Sequence, residues 1–317
     1  MRARSYPHSV TTFAGTRGTE RDLHSMLTRR NCPICSSERR GGFGRKADLD
    51  VFECLSCAGV YSSSVPPDDE IESLYATYGY EELRTAPAFV RHQLERIATA
   101  LARHRRLNRI LDVGFGAGDF LEAAVQAGWN AEGIEKSTMA VEQARRRGLS
   151  ASHGDFLSAE FDGTFDVVVM LEVVEHVRDP VGYIRRAYRV LRTGGCLFVT
   201  TPNATSLSRR LLGVEWAMIA PREHLQLFSP RGLETALTSA GFRADVTSSG
   251  FNPAPLVHKL RRARDANPQS ADAVAVNEAF TRTAFRRAAK WTLNVPLKLL
   301  KIGDTLKANA LRIDSGL

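Results

Sequence analysis

Short apolar runs alternate with segments of helical periodicity through the middle of the chain. Five of these runs predict buried strands, and they are Ile110–Val113, Asn130–Glu135, Leu149–His153, Phe165–Met170 and Cys196–Thr201. After the first run, four apolar residues share one face of a predicted helix: Phe120, Leu121, Ala124 and Val125. Strands that alternate with helices indicate an α/β fold with a mostly parallel sheet.

A further helix and strand extend this pattern toward the C-terminus. Ser229 and Pro230 are typical of a helix start, with serine as the N-cap and proline in the first helical position. We expect the helix to run to about Ala240, where Gly241 ends it. Phe242–Ser249 then predicts a sixth strand.

The N-terminal third contains three different kinds of segment. Residues 1–30 have little periodicity and many polar residues, so we expect a disordered tail. Residues 31–62 hold paired cysteines, and the segment 62–69 is a linker by composition. Residues 71–106 predict a helical cap, whose tyrosines would line a substrate mouth or simply pack: Tyr75, Tyr78 and Tyr80.

Two CxxC pairs lie eighteen residues apart: Cys32 with Cys35, and Cys54 with Cys57. This spacing predicts a zinc ribbon over residues 31–62, because four thiolates can close a tetrahedral shell around Zn²⁺. A module with so little core needs the metal to fold. Two disulfides or two redox pairs are the alternatives, and persistent disulfides are rare in the cytoplasm. Cys196 is expected to pack in the fifth strand.

Charge is unevenly distributed along the chain. The formal net charge is +8, with +7 in residues 1–46, +7 in residues 255–317 and −6 between them. The acidic centre argues against a nucleic-acid channel, whereas the basic ends either suit an anionic partner or are simply solvated. No run approaches the roughly 20 apolar residues of a membrane span. The N-terminus also lacks the apolar core of a secretory signal, so we expect a cytoplasmic location.

The first strand runs into a glycine turn formed by Gly114, Gly116 and Gly118. Such a turn can leave backbone N–H groups open to a ligand, although it also occurs for packing alone. Asp119 stands where a dinucleotide fingerprint has its third glycine, which disfavours an NAD-linked oxidoreductase. Glu135 ends the second strand, at about the distance where an acid meets both hydroxyls of a ribose.

In this order the glycine turn, Glu135 and the segments 154–156, 171–177 and 191–195 resemble a class I S-adenosylmethionine (SAM) dependent methyltransferase. The resemblance covers about residues 75–251 and is strongest to ubiquinone-biosynthesis O-methyltransferases and bacterial sugar or secondary-metabolite methyltransferases. It implies a Rossmann-like sheet of seven strands with helices on both faces.

The same resemblance implies the domain limits. The SAM-dependent domain would comprise residues 107–251 and 304–313, with Asp304–Ile313 as an antiparallel strand beside the last parallel one. Residues 252–303 would then be a basic helical insertion between the last two strands.

The resemblance also implies the SAM contacts. The glycine turn would pass under the methionine part, with Asp112 fixing the turn or reaching the amino group through water. Glu135 would take the ribose. Asp155 would accept from the adenine amino group, with Phe156 against the ring and Met170 closing the other side. The alternatives are a core position for Phe156 and a turn-capping role for Asp155.

Glu172, Glu175 and His176 are spaced i, i+3 and i+4, so on a helix they would share one face, which is either solvated or functional. This ExxEH pattern resembles ubiquinone-type O-methyltransferases and the plant small-RNA 2′-O-methyltransferase, where two acids and two histidines hold a divalent metal. The second histidine would here be His224. Mg²⁺ or Mn²⁺ would orient the acceptor hydroxyl and lower its pKa. Without metal, either histidine is a candidate general base.

The interpretation is therefore a methyltransferase acting on a hydroxyl or carbon of a small molecule, glycan or lipid-linked acceptor. The ribbon resembles the one that precedes the catalytic domain in deoxysugar C-methyltransferases. A zinc-ribbon nucleic-acid binder and an RNA methyltransferase are the alternatives. Residues 280–302 mix basic and apolar positions, so they would dock on an anionic membrane surface or pack on the domain. The sequence does not decide the oligomeric state.

Overall fold

The structure is a computed structural model that describes residues 30–67, 70–71, 86–249, 297 and 299–313. Three expectations lie outside these residues: the disordered tail up to residue 29, the cap tyrosines, and the basic insertion with its membrane-surface segment, of which only residues 297 and 299–303 are described. Within the described part, no helix combines the length and the apolar character needed to cross a membrane.

The described residues form eleven strands and six α-helices. The strands are β1 Arg40–Lys46, β2 Leu49–Cys54, β3 Val60–Ser62, β4 Arg109–Val113, β5 Asn130–Glu135, β6 Ser150–His153, β7 Phe165–Leu171, β8 Leu191–Pro202, β9 Gln226–Leu227, β10 Phe242–Ser248 and β11 Thr305–Arg312. The helices are α1 Ala88–Leu101, α2 Asp119–Gln126, α3 Thr138–Arg146, α4 Pro180–Val190, α5 Leu207–Leu212 and α6 Pro230–Ser239.

Seven strands form one large sheet, in the order β10-β11-β8-β7-β4-β5-β6. Strands β4 to β8 pair in parallel, and β11 pairs antiparallel with both β8 and β10. Parallel neighbours need a crossover connection, which the intervening helices supply. The expected seven-stranded α/β sheet is confirmed, and the strand expected at Asp304–Ile313 corresponds to β11.

The large sheet is covered on both faces. In β7, Val167 and Val169 pack in a cluster with α1, α2 and α3, whereas Val168 and Met170 pack in another with α4 and α6. Successive strand residues point to opposite faces. The unbroken apolar run from Val167 to Leu171 is therefore what a sheet between two helical layers requires.

A second sheet, β1-β2-β3-β9, contains the predicted zinc ribbon and extends beyond it. All of its pairings are antiparallel, and β3 pairs with β9 so that Val60 lies opposite Leu227 and Tyr61 opposite Gln226. Because β9 follows β8 in the chain, the ribbon shares a sheet with a segment of the larger domain.

The segment between β8 and β9 packs on the ribbon. Val51 of β2 is buried with Trp216 and Ile219 of this segment. An ion pair between Arg209 and Glu53, with 2.5 Å between Nη2 and Oε2, lies at the same contact. Apolar burial thus joins the ribbon to the domain, since an ion pair that is partly exposed adds little to stability.

Candidate active site

The glycine loop, residues 114–118, connects the carboxyl end of β4 to α2. Gly114, Gly116 and Gly118 have φ values of 67°, 52° and 77°, in the left-handed region where side chains are strained. A Cβ on Gly114 would lie 2.9 Å from Cγ2 of Val173. The loop therefore needs glycine for its conformation, and at Gly114 it also packs closely against the turn that follows β7.

Asp112 lies at the base of the glycine loop and is only 3% exposed. Its Oδ2 has no hydrogen-bond partner among the residues that the structure describes. Burial, with a smaller contribution from the charge of Glu135, raises the pKa of Asp112 to about 8. A buried acid without a partner is satisfied by a cationic ligand. The residue thus fits the positively charged methionine end of SAM.

Glu135 ends β5 and already accepts two hydrogen bonds. Its Oε2 accepts from the N–H of Gly116 at 3.1 Å, and its Oε1 accepts from the N–H of Ser137 at 3.0 Å. Each carboxylate oxygen can accept a second hydrogen bond. Glu135 therefore helps to shape the glycine loop and keeps acceptor capacity for the hydroxyls of a ribose.

Asp155, which follows β6, is held by three groups of the protein. Its Oδ2 lies 2.7 Å from Nζ of Lys136, and its Oδ1 accepts from the N–H of Leu157 at 2.8 Å and from the hydroxyl of Tyr183 at 3.1 Å. Burial opposes ionisation, but these contacts together lower the pKa of Asp155. Asp155 is ionised and caps a turn, and its contact with adenine stays a prediction.

Phe156 and Met170 are both buried in the core on the α4 side of the sheet. The ring of Phe156 packs against Tyr183 and Phe161, with centroid distances of 5.5 and 6.0 Å. Phe156 thus occupies the core position that the sequence left open as an alternative. The adenine contacts of Phe156 and Met170 also stay predictions.

The segment between β7 and α4 forms turns, so the expectation of a helix carrying Glu172, Glu175 and His176 is wrong. Glu172 has a φ of 54°, outside the right-handed helical region. Asp179 caps α4 and Pro180 opens it. Proline disfavours the helical conformation in the residue before it, so Asp179 is not helical. The helix α4 therefore begins at Pro180, after the turns, and not directly after β7.

The turns nevertheless bring Glu175 and His176 beside His224. One ligand atom from each lies within 4.8 Å of the other two, and the two imidazole centroids are 4.6 Å apart. These three residues are called the histidine cluster below. Glu172 lies outside this group, although its carboxyl group interacts with Glu175 and with the hydroxyl of Thr200.

Backbone carbonyl groups orient both imidazole rings. Nδ1 of His176 lies 3.1 Å from the carbonyl oxygen of Glu223, and Nδ1 of His224 lies 2.8 Å from that of Met218. A carbonyl oxygen only accepts, so Nδ1 carries the proton and Nε2 carries the lone pair in each ring. A histidine that donates Nδ1–H to a carbonyl and leaves Nε2 open is typical of a metal ligand.

Two carboxyl groups, those of Glu175 and Glu172, lie beside the imidazole rings. Glu175 is fully buried, and its Oε1 accepts no hydrogen bond from a described residue, whereas its Oε2 accepts from the hydroxyl of Thr201 at 2.9 Å. Burial, and then the charge of Glu172, raises the pKa of Glu175 well above its usual range. Desolvation raises the pKa of Glu172 as well, although its side chain is exposed to solvent and the charges of His224 and Lys307 oppose the shift. Two adjacent acids and two imidazole lone pairs fit a divalent cation.

His176 is suited to ligation rather than to proton abstraction. Burial, together with the proximity of His224, lowers the pKa of His176 to about 4. The ring is therefore neutral at neutral pH, as a metal ligand must be. A general base works best with a pKa near the operating pH, so a pKa near 4 makes His176 a weak base.

The cysteine cluster, made of Cys32, Cys35, Cys54 and Cys57, also converges on one point. Its Sγ atoms lie within 4.8 Å of one another, and both the Cys32–Cys57 and Cys35–Cys54 distances are 3.6 Å. Such distances are too long for disulfide bonds. Four sulfurs at about 2.3 Å from a tetrahedral Zn²⁺ would be roughly 3.8 Å apart, so the arrangement fits zinc.

Two residues that contact the candidate site were missed from the sequence. Thr201 donates to Glu175, and Gln226 donates from its buried side-chain amide to the turn that carries the cluster. Each is a polar residue in a buried strand, where a polar group must find a partner. That mismatch was the available signal, but it does not reveal which partner is met.

Comparisons with known proteins agree with this architecture. A family model described as a methyltransferase domain matches residues 81–247, just over half of the chain. The ubiquinone biosynthesis O-methyltransferase of Methylocella silvestris is 35% identical over 160 residues, which are 46% of this chain and 62% of that protein. The one from Thiobacillus denitrificans is 31% identical over 175 residues, which are 50% of this chain and 75% of that protein.

A solved methyltransferase structure from Galdieria sulphuraria supports the fold alone. It superposes with a TM-score of 0.50 at 16% identity, covering 78% of this chain and 98% of that one. The match to the Methylocella relative spans less than two thirds of that protein. Taken with the seven-stranded sheet and the glycine loop, these matches show that the chain belongs to the class I SAM-dependent methyltransferases.

Proposed function

We propose that the chain transfers a methyl group from SAM to a hydroxyl group of a small-molecule acceptor bound at the histidine cluster. One observation carries the proposal. Val173, which stands in the turn that bears Glu175 and His176, packs so closely on the glycine loop that a Cβ on Gly114 would lie 2.9 Å from it. The cofactor loop and the candidate cation site are therefore neighbours.

On the cofactor side, SAM supplies an electrophilic methyl group on a positively charged sulfur. Asp112 offers its free Oδ2 to the cationic end, and Glu135 accepts from the ribose hydroxyls. The backbone N–H groups of the glycine loop lie beside the start of α2, where the helix dipole favours the carboxylate of the methionine part. These groups hold the cofactor in place, and positioning supplies much of the acceleration in a transfer of this kind.

On the acceptor side, we assign the divalent cation to Glu175, His176 and His224, with Glu172 at the edge. Mg²⁺ or Mn²⁺ there would bind the acceptor oxygen and lower the pKa of its hydroxyl group. The protein contributes two fixed Nε2 lone pairs and a buried carboxylate, so the ligands need little reorganisation. Proton release to solvent then leaves an oxygen nucleophile.

We assign Zn²⁺ to the cysteine cluster as a structural ion. All four ligands come from the protein, and three of them are buried, so no position is open for a substrate. The curated relatives named above are O-methyltransferases of ubiquinone biosynthesis, which supports oxygen as the methyl acceptor.

The test is methyl transfer by the purified full chain from isotope-labelled SAM to a panel of small molecules, followed by mass spectrometry. We expect label on hydroxyl-bearing compounds only, with turnover that needs added Mg²⁺ or Mn²⁺. Label on carbon would overturn the oxygen assignment. Full turnover in protein that holds zinc but no other cation would overturn the cation assignment.

A further inference from the structure

The short strand β9 is held on one side by the ribbon. The N–H of Ser62 donates to the carbonyl oxygen of Leu225 at 3.2 Å. The guanidinium of Arg30 donates to the same oxygen. Tyr61 lies opposite Gln226 in the β3–β9 pairing. In the second sheet β9 pairs with β3 alone, so the position of its start depends on the ribbon.

The cysteine cluster lies directly against β9. A Cβ on Gly59 would be 2.5 Å from Cδ1 of Ile34, 3.2 Å from the carbonyl oxygen of Leu227 and 3.4 Å from Sγ of Cys57. Contacts this close leave no free space between the cysteine loops and β9. A movement of the loops would consequently be transmitted to β9.

A serine just beyond β9 also binds the cysteine loop. The hydroxyl of Ser229 donates to the carbonyl oxygen of Cys57. The same hydroxyl accepts from the N–H of Gly232 at 2.8 Å, which caps α6. The cysteine loop is therefore attached to the helix that follows β9 as well as to the strand itself.

On its other side, β9 clamps the turn that carries the histidine cluster. The side-chain amide of Gln226 donates from Nε2 to the carbonyl oxygens of Val174 and Val177, at 2.7 and 2.8 Å. The N–H of Leu225 donates to the carbonyl oxygen of Glu175 at 2.8 Å. The buried amide of Gln226 thus spans the turn from just before Glu175 to just after His176.

We infer that the cysteine cluster and the histidine cluster are coupled through β9, so that metal in the first sets the cation affinity of the second, with Gln226 as the positioning residue. The inference rests on the cation site proposed above. A two-residue strand makes too few ladder bonds to fix its own position. A small ribbon with little core depends on its metal for its fold. Loss of that metal therefore releases β9, and with it the clamp on Glu175 and His176.

The test measures Mn²⁺ binding to the zinc-loaded full chain by electron paramagnetic resonance, with the dissociation constant for SAM as the second readout. Gln226→Leu keeps the size of the side chain and removes both donors. Cys35→Ser removes a zinc ligand, and Cys196→Ser, in the core of the large sheet, is its matched control. Residues that orient metal ligands contribute roughly 10- to 100-fold to metal affinity.

We expect Gln226→Leu to weaken Mn²⁺ binding by about tenfold or more, with zinc content and SAM affinity unchanged. Cys35→Ser should lose zinc and weaken Mn²⁺ binding to a similar extent, whereas Cys196→Ser should behave like the parent. If Cys35→Ser does not fold, parent protein stripped of zinc by a chelator and then freed of the chelator replaces it, because its comparison with the zinc-loaded parent changes only the metal; equal Mn²⁺ affinity in the two forms would overturn the coupling.

The outcomes separate the inference from the proposed function. Parent protein that binds Mn²⁺, together with variants that bind it equally well, would overturn the coupling and leave the cation site standing. Parent protein that binds no Mn²⁺ would overturn both. If Gln226→Leu loses SAM binding in proportion to Mn²⁺ binding, Gln226 stabilises the domain as a whole. That result would overturn its assignment as the positioning residue of the histidine cluster.

Discussion

The cofactor region and the histidine cluster are adjacent but are built in different ways. In the cofactor region, Asp112, the glycine loop and Glu135 come from two neighbouring parallel strands, and the bonds that shape it are local. Gly114 donates to the carbonyl oxygen of Ile134 at 2.8 Å, and Gly116 donates to Glu135 at 3.1 Å. The histidine cluster combines residues from a turn after β7 and from a segment before β9. The ribbon lies behind them and pairs with β9.

This difference indicates that the two regions can fail separately. The cofactor region needs only the order of strands in the large sheet, which its apolar core determines. The histidine cluster needs contacts between residues that are far apart in the chain, such as Gln226 with Val174 and Ser229 with Cys57. Changes in the ribbon should therefore affect the acceptor side and spare SAM binding.

The largest expected effect is that of His224→Ala. Removing one of the three proposed cation ligands should lower turnover by roughly 100-fold or more, because the acceptor hydroxyl would lose the metal that orients it. SAM affinity should stay within about twofold of the parent, since the cofactor region has its own contacts. Steady-state kinetics and calorimetry measure the two quantities. His92→Ala, an exposed histidine on α1, is the control, and full activity in His224→Ala would remove His224 from the mechanism.

The next effect concerns Cys54→Ser. The parent should carry about one zinc per chain, and the variant should lose it, because a tetrahedral thiolate site does not tolerate the loss of one of its four ligands. Elemental analysis measures the zinc. Hydrogen exchange should speed up in residues 31–62 and in β9 and change little in β4 to β7. Faster exchange throughout the large sheet would contradict the separation of the two regions.

The same difference explains what could be predicted from the sequence. The strands of the large sheet, the glycine loop and Glu135 depend on local patterns, and the structure contains all of them. The pairing of β3 with β9 depends on residues such as Val60 and Leu227, which carry no shared sequence signal. The i, i+3, i+4 spacing of Glu172, Glu175 and His176 suggested a helix, but Pro180 and the left-handed Glu172 produce turns that still bring two of them to His224.

A smaller effect, confined to the cofactor region, is expected for Glu135→Ala. The change removes acceptors from the ribose hydroxyls and from Gly116 and Ser137, so SAM binding should weaken by roughly 1.5–3 kcal/mol. Titration calorimetry measures it. Glu135→Gln retains one acceptor oxygen and should lose less. Mn²⁺ affinity at the histidine cluster should be unchanged in both variants. Unchanged SAM affinity in Glu135→Ala would remove the ribose assignment.

The last effect, which is small for each pH unit, is the pH dependence of stability that Asp112 gives to the cofactor region. Burial raises the pKa of Asp112 from its ordinary 3.8 to about 8 in the folded protein, so between these values the folded state holds a proton that the unfolded chain has released. The free energy of unfolding should therefore fall as pH rises through this window, by at most about 1.4 kcal/mol per pH unit from this group. Asp112→Asn cannot ionise and should lose this contribution. Because Glu175 titrates in both proteins, its effect cancels in the difference between them. Denaturant unfolding of both ligand-free proteins at pH 5, 6 and 7 measures that difference. A difference that stays constant with pH would show that Asp112 is ionised in the folded protein and finds its partner without SAM.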